Sequence, residues 1–233
     1  RQMCIRDSAR RNAHFLSGRV RNGEGIRDKE KEKTYLEEGL QQVRDAFQNY
    51  DNVILTDESI WYCLSYLKKS LLCDLKKEAD KQGYQIKVIV YLRRQDKFLL
   101  SRWNQRVKQK STSDAVLSCD EYFEPTQKKE KDIYQYGKKL DGIAEVIGKE
   151  NLIVRRFDVE SWRDGSIIHD FMHEIGIDVT PEFHELEKNA NLSLDKNTTE
   201  IKRILNQEES FTMKEISYMG KFLKKISENY IPV

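Results

Sequence analysis

Lys87-Val-Ile-Val-Tyr-Leu-Arg-Arg-Gln-Asp-Lys-Phe-Leu-Leu-Ser101 constrains the fold more than any other stretch of the chain. Ile86, Val88, Ile89, Val90 and Leu92 make a run too apolar on both faces for a half-solvated strand. It predicts a central parallel strand covered on both sides. The run stops at two arginines, and helical spacing resumes from Asp96. Arg93 and Arg94 thus stand at the C-terminal end of a central strand, the edge where open α/β sheets bind ligands. Ser101 follows Arg93 by eight residues, across a turn and the first part of the next helix. At that spacing a guanidinium and a hydroxyl can converge on one anion near a helix N-terminus, where the backbone dipole also favours negative charge.

Around this centre the pattern alternates. Residues 29–50 carry Tyr35, Leu36, Leu40, Val43 and Phe47 at helical spacing, and Val53–Leu55 reads as a short buried strand. Residues 60–81 place Leu64, Leu67, Leu71 and Leu75 on one helical face, with Gly83 as the stop. After the central strand, 96–108 reads as helix and 109–113 as a polar loop. Residues 114–132 are poorly periodic, and an irregular excursion able to cover a substrate is expected there. Helix over 133–148, strand over 152–157 and helix over 166–175 follow. Residues 201–206 and 213–229 form a helical C-terminal tail with Leu, Ile, Met and Phe at core spacing. Strand–helix alternation implies parallel pairing with right-handed crossovers. The expectation is an α/β fold of three layers, α/β/α, in which 53–56, 86–92 and 152–157 lie adjacent in one parallel sheet.

The length of 233 residues suits one domain. Three prolines and eleven glycines leave no linker or low-complexity stretch. Residues 1–8 read as a non-native leader without a structural role, so the single domain is expected over 9–233. Acidic and basic residues nearly cancel, to a net charge of +2, which gives no general electrostatic drive toward nucleic acid. Basic residues nevertheless crowd one segment: Arg93, Arg94, Arg102, Arg106, Lys108 and Lys110. That cluster is either a solvated helix face or a local anion site. Cys4, Cys63, Cys73 and Cys119 show no Cys-x-x-Cys pair, as expected of idle thiols in a reducing compartment, and a cytoplasmic location follows. No apolar run approaches the roughly 20 residues that span a bilayer.

Strand, Arg93, seven residues, Ser101 and an aromatic-rich helix together resemble the 3′-phosphate-binding segment of P-loop sulfotransferases. The continuation Ser101-Arg-Trp-Asn-Gln-Arg-Val-Lys108 is similar to the bacterial, glycan-type members. Further segments resemble the family in order: Asn52 to Trp61, a strand ending in acidic residues; Tyr136 to Phe157, a helix and strand; and Asp170 to Gly176, a late helix ending in glycine. The resemblance covers roughly residues 12–206. Where the family has a proline two residues after the first arginine, this chain has Gln95. The family's glycine loop with lysine, which holds the 5′-phosphosulfate, is not found. Gly18-Arg-Val-Arg-Asn-Gly23 has the glycine spacing, but Glu24 and Gly25 follow where Lys and Ser/Thr belong. The resemblance therefore implies an N-terminally truncated fragment of a P-loop nucleotide hydrolase-like fold, lacking its first strand and loop.

What the resemblance implies for function is transfer of a sulfuryl group from 3′-phosphoadenosine 5′-phosphosulfate to a hydroxyl of a glycan, a surface polysaccharide in particular. Arg93 and Ser101 would hold the nucleotide's 3′-phosphate, and Glu58 would be the general base. Asp57 competes for that role, and like-charge repulsion from it would raise the Glu58 pKa. The bland alternatives are that Arg93 pairs with Asp96, and that Thr56, Asp57 and Glu58 start the following helix. His14 lies in a segment near the site of bacterial relatives. Tyr136 reads as core. His169 and His173 share the spacing of a zinc-protease helix, but Asp170 stands where the catalytic glutamate belongs, and no metal is expected. Asn189-Ala-Asn-Leu-Ser-Leu194 resembles a late family segment without a fixed role. The alternative is a non-catalytic nucleotide-binding or interaction protein of the same fold. A helical nucleic-acid binder using 93–110 has only the local basic cluster in its favour.

Overall fold

The computed structural model describes residues 3–5, 15, 26, 28–57, 60–61, 70–109, 113–129, 134–181, 183, 194–208 and 210–228. The chain is a mixed α/β structure with a small parallel sheet. In order come β1 (Met3–Ile5), α1 (Lys29–Phe47), β2 (Asn52–Ile54), α2 (Ser70–Gln82), β3 (Val88–Leu92), α3 (Gln95–Gln109) and α4 (Cys119–Lys129). Then follow α5 (Tyr136–Ile147), β4 (Leu152–Arg156), α6 (Ile167–Glu174), α7 (Lys196–Gln207) and α8 (Met213–Glu228). Short 3₁₀ turns precede α4 at Ser113–Val116 and α6 at Val159–Ser161 and Arg163–Gly165. Among the described residues no helix is long and apolar enough to cross a membrane.

The chain divides into two compact units, one of residues 1–87 and 135–152, the other of 88–134 and 153–233. The strands divide likewise. Among the described residues β2 pairs in parallel with β1, Met3 opposite Asn52, and β3 pairs with β4 in a second two-stranded sheet. This corrects the expectation of one three-stranded sheet. Val53 and Ile54 find their partner in Met3-Cys-Ile5, inside the segment read as a leader without a structural role, of which Ile5 alone is a strong strand former.

In the first unit α1 begins at Asp28, whose carboxylate accepts from the Lys31 N–H at 3.1 Å. Phe15 is buried against Leu36, Leu40, Val43 and Leu75. Gly39 sits directly under its ring, and an added Cβ would overlap it. Gly83, at φ +78°, ends α2 in the left-handed conformation that glycine tolerates best.

In the second unit Leu99, Trp103 and Val107, at four-residue steps along α3, are buried with Tyr122 of α4. Residues 114–132, expected to be irregular, instead hold the Ser113–Val116 turn and α4. The reason is a capping box: Glu121 accepts from the Ser118 N–H at 2.8 Å, and Ser118 Oγ accepts from the Glu121 N–H at 3.3 Å. The tail is helical as expected, but its faces are reversed in α7. Thr198, Thr199, Lys202 and Asn206 are buried while Ile201 and Ile204 are about half exposed. Asn206 donates to Val107 O at 2.8 Å and Ala115 O at 3.0 Å, carbonyls that lie near the end of α3 and in the turn beyond it. A buried helix end must have its carbonyls satisfied, and that need outranks burying two isoleucines.

One buried carboxylate ties the second unit together. Asp170 of α6, fully buried, accepts from the Tyr91 hydroxyl of β3 at 2.7 Å and from Arg155 Nε of β4 at 3.0 Å. It also accepts from Arg155 Nη2 and from the Arg163 N–H at 3.1 Å. The Arg155 guanidinium leads in holding the Asp170 pKa at about 2. Burial, and then the bond to Asp170, push the Tyr91 phenol up.

Replacing Asp170 with Asn leaves half-buried Arg155 with only the longer 3.4 Å ion pair to Glu174 and removes the charge that accepts from Tyr91 and the Arg163 N–H, and unfolding in urea should show a loss of about 2–3 kcal/mol. The folded pKa is depressed, so the carboxylate's contribution is complete above the ordinary value of 3.8 and is lost as pH falls toward 2. Wild-type stability should therefore decline through that window, by about 2 kcal/mol from this group, and Asp170→Asn should flatten that part of the profile.

Candidate functional site

The two arginines that end β3 do different things. Arg94 is exposed and pairs with Asp96 through two bonds of 2.6 Å, from Nε and Nη2. The pairing that sequence allowed for Arg93 is thus made by its neighbour. That bidentate contact leads in holding Asp96 at a pKa of about 2. Arg93 is half-buried, and its guanidinium carbon lies 4.5 Å from the centroid of the Phe157 ring.

Phe157 is the residue just past β4, and its N–H donates to Leu92 O at 2.9 Å. The C-terminal ends of β3 and β4 therefore lie together, and Arg93 caps the pair. Phe157 is itself held edge-on by Trp162 at 5.1 Å, and the Trp162 indole donates to Arg156 O at 3.0 Å. The contact is of the cation–π kind, and a guanidinium is the side chain suited to bidentate recognition of phosphate or sulfate. Sequence placed Arg93 correctly at the strand end but gave no sign of Phe157, because a cross-strand neighbour 64 residues away has no local signature.

Ser101 is the seventh residue of α3 and half-buried. About 9 Å of helix axis separates it from Gln95. Of the other basic residues, Arg102 donates to the Tyr134 hydroxyl at 3.4 Å, while burial and then Lys224 lower the Lys108 pKa. Lys110 lies outside the described residues.

The acidic candidates belong to the first unit. Glu58 lies outside the described residues, as do His14 and residues 189–193. Asp57 is half-buried, and its carbonyl accepts from the Ile60 N–H at 3.3 Å, the local turn that leads out of β2. Nearby in the same unit, Trp61 and Tyr136 meet edge to face at 5.6 Å. Lys139, one helical turn after Tyr136, is buried. Its ammonium sits 4.1 Å from the centroid of the Trp61 ring and donates to Trp61 O at 2.5 Å. Sequence took Tyr136 as core and passed over Lys139, since a lysine in a charged helix reads as solvated. His169 faces Asp164 at 3.2 Å.

No family model and no solved structure matches the chain. Over 122 residues it is 32% identical to an uncharacterized protein of Archaeoglobus fulgidus; the match covers 52% of this chain and 31% of that protein. The aligned region thus spans about a third of that protein's length.

The Arg93–Phe157 contact is testable apart from any ligand. A double-mutant cycle with Arg93→Ala and Phe157→Leu, read by urea unfolding, should give a coupling of about 0.5–1 kcal/mol. A coupling near zero would mean that the stack does not hold the guanidinium.

Proposed function

We propose that the chain is part of a sulfotransferase that moves a sulfuryl group from 3′-phosphoadenosine 5′-phosphosulfate to a glycan hydroxyl, on a surface polysaccharide in particular. The observation that carries the proposal is Arg93. It stands at the C-terminal ends of two paired strands, directly before α3, with its guanidinium held against Phe157. That edge of an α/β sheet is the ordinary position for a nucleotide phosphate, and the start of α3 adds the favourable end of a helix dipole. In this proposal Arg93 and Ser101 bind the 3′-phosphate, and the fold is the P-loop nucleotide hydrolase-like three-layer type in a cytoplasmic protein.

The chemistry needs a base for the acceptor. The acceptor oxygen attacks sulfur, its proton passes to Glu58, and the bond from sulfur to the bridging phosphate oxygen breaks. Adenosine 3′,5′-bisphosphate leaves. Glu58 is assigned because it follows β2, next to Asp57. The donor nucleotide and the glycan are the partners; no nucleic acid and no metal takes part.

Calorimetry with adenosine 3′,5′-bisphosphate tests the nucleotide half. Arg93→Ala should weaken binding by about 1.5–3 kcal/mol, the range for a hydrogen bond to a charged group. Adenosine 5′-monophosphate, which lacks the 3′-phosphate, should be little affected. Equal affinity in wild type and variant would rule the assignment out.

Sulfuryl transfer in the whole protein tests the other half. Glu58→Gln should keep nucleotide binding and lower turnover roughly 10²–10⁴-fold. Near-normal turnover in that variant, with loss in Asp57→Asn or His14→Ala, would reassign the base. Nucleotide binding without any transfer would favour the non-catalytic alternative.

A further inference from the structure

α8 has two apolar faces, and the fold uses one of them. Ile216 and Leu223 are buried, and Gly220 lies against the Lys202 side chain of α7. At about 100° per residue these positions share one side of the helix. Tyr218, Phe222 and Ile226 recur at four-residue steps on another side, and they are 74%, 59% and 44% exposed. Lys214, Lys221 and Lys225, all exposed, form a second row directly beside them. Glu215 shares this outer side, but its carboxylate turns back to the helix start, accepting from the Thr212 N–H and hydroxyl, each at 2.8 Å. The outward half of α8 is therefore a row of aromatic and aliphatic side chains edged by a row of ammonium groups.

We propose that this face of α8 docks on an anionic membrane surface. Three features point to lipid. The exposed lysine row puts positive charge along one edge of the apolar row, which complements an anionic surface. The apolar row runs from Tyr218 to Ile226, about 12 Å, and is one side chain wide. That is a few hundred Å², short of the roughly 800 Å² each partner buries in a stable protein complex. The outward side of a single helix is also a ridge, whereas a partner helix needs a groove to lie in. A second copy fits poorly, because pairing two such ridges brings like-charged lysine rows together. A bilayer surface asks for neither area nor groove. Tyr218, Phe222 and Ile226 sink to the boundary of headgroup and acyl chain, and the lysines reach anionic headgroups while their stems cover apolar surface. Each lysine near such a surface strengthens binding roughly fivefold.

Flotation of the full chain with vesicles decides it. The wild type should float with vesicles of mixed phosphatidylcholine and phosphatidylglycerol and stay behind with phosphatidylcholine alone. Binding should fall as salt rises to about 0.5 M. Tyr218→Ser with Phe222→Ser, and separately Lys214→Glu with Lys221→Glu, should each lower partition at least about tenfold. Circular dichroism melts should match wild type, since all four residues are exposed. Phe222→Trp should add fluorescence that brominated acyl chains in anionic vesicles quench. Wild-type protein that ignores anionic vesicles, or serine variants that still bind them, would overturn the proposal. So would wild-type dimers in light scattering that dissociate in the serine variant while vesicles are ignored; that outcome would assign the face to a second copy.

Discussion

Asp170 is the constraint on which the second unit depends. It accepts four hydrogen bonds from three elements besides its own: β3 through Tyr91, β4 through Arg155 and the 3₁₀ turn through Arg163. A carboxylate with no exposed surface survives only when every lone pair is used and a cation stands beside it. Here the cation comes from β4 and the neutral donors come from the two flanks. Because a two-stranded sheet is marginal alone, something must hold β3 against β4 beyond their backbone bonds. α6 does so, with Asp170 at the centre of its buried face and Glu174 at its end 3.4 Å from Arg155 Nη1.

That arrangement also sets the candidate anion site. Side chains two apart along a strand point to the same face. Tyr91 and Arg93 are two apart, and so are Arg155 and Phe157. The Asp170-centred contact and the Arg93–Phe157 stack are therefore successive rungs on one face, the second lying just past the strand ends. Fixing Tyr91 to Arg155 through Asp170 fixes the direction in which Arg93 and Phe157 leave the sheet. Trp162, braced on the Arg156 carbonyl, meets the Phe157 ring edge to face. Arg94 points elsewhere and is taken by Asp96, so the two adjacent arginines are sorted by the alternation of the strand and by one acid two residues on.

How much of this was legible follows from the range of the forces. Apolar periodicity is local, and it found β3, β4, α1, α3, α5 and α6 within a few residues. The placement of Arg93 at a strand end followed from the same signal. The Ser118–Glu121 capping box is equally local, but the apolar spacing of 114–132 that follows it is too irregular to mark a helix by periodicity. Strand pairing is not local. Met3–Ile5 as the partner of β2, and the separation of the strands into two sheets, depend on which edges meet across many residues. Phe157 under Arg93 and Lys139 over Trp61 escaped for the same reason, since a cation–π partner is chosen by three-dimensional neighbourhood and carries no spacing rule.

The polar row of α7 shows the limit most sharply. By hydropathy, Ile201 and Ile204 belong inside, and Thr199, Lys202 and Asn206 belong outside. The fold does the reverse because α7 lies against a place where the chain leaves α3 and exposes carbonyls. Asn206 serves two of them through its side-chain Nδ2, and Lys202 donates to the Oδ1 of the same side-chain amide. Asn104 reaches the other way, to Leu194 O at 2.9 Å and Thr199 Oγ1 at 2.7 Å. Once that polar seam is the inner face of α7, its isoleucines have nowhere to go but out. The adjoining helix shows a related economy: Ile216 and Leu223 fill what space the seam leaves, and the remaining aromatic row of α8 stays on the surface with its lysines.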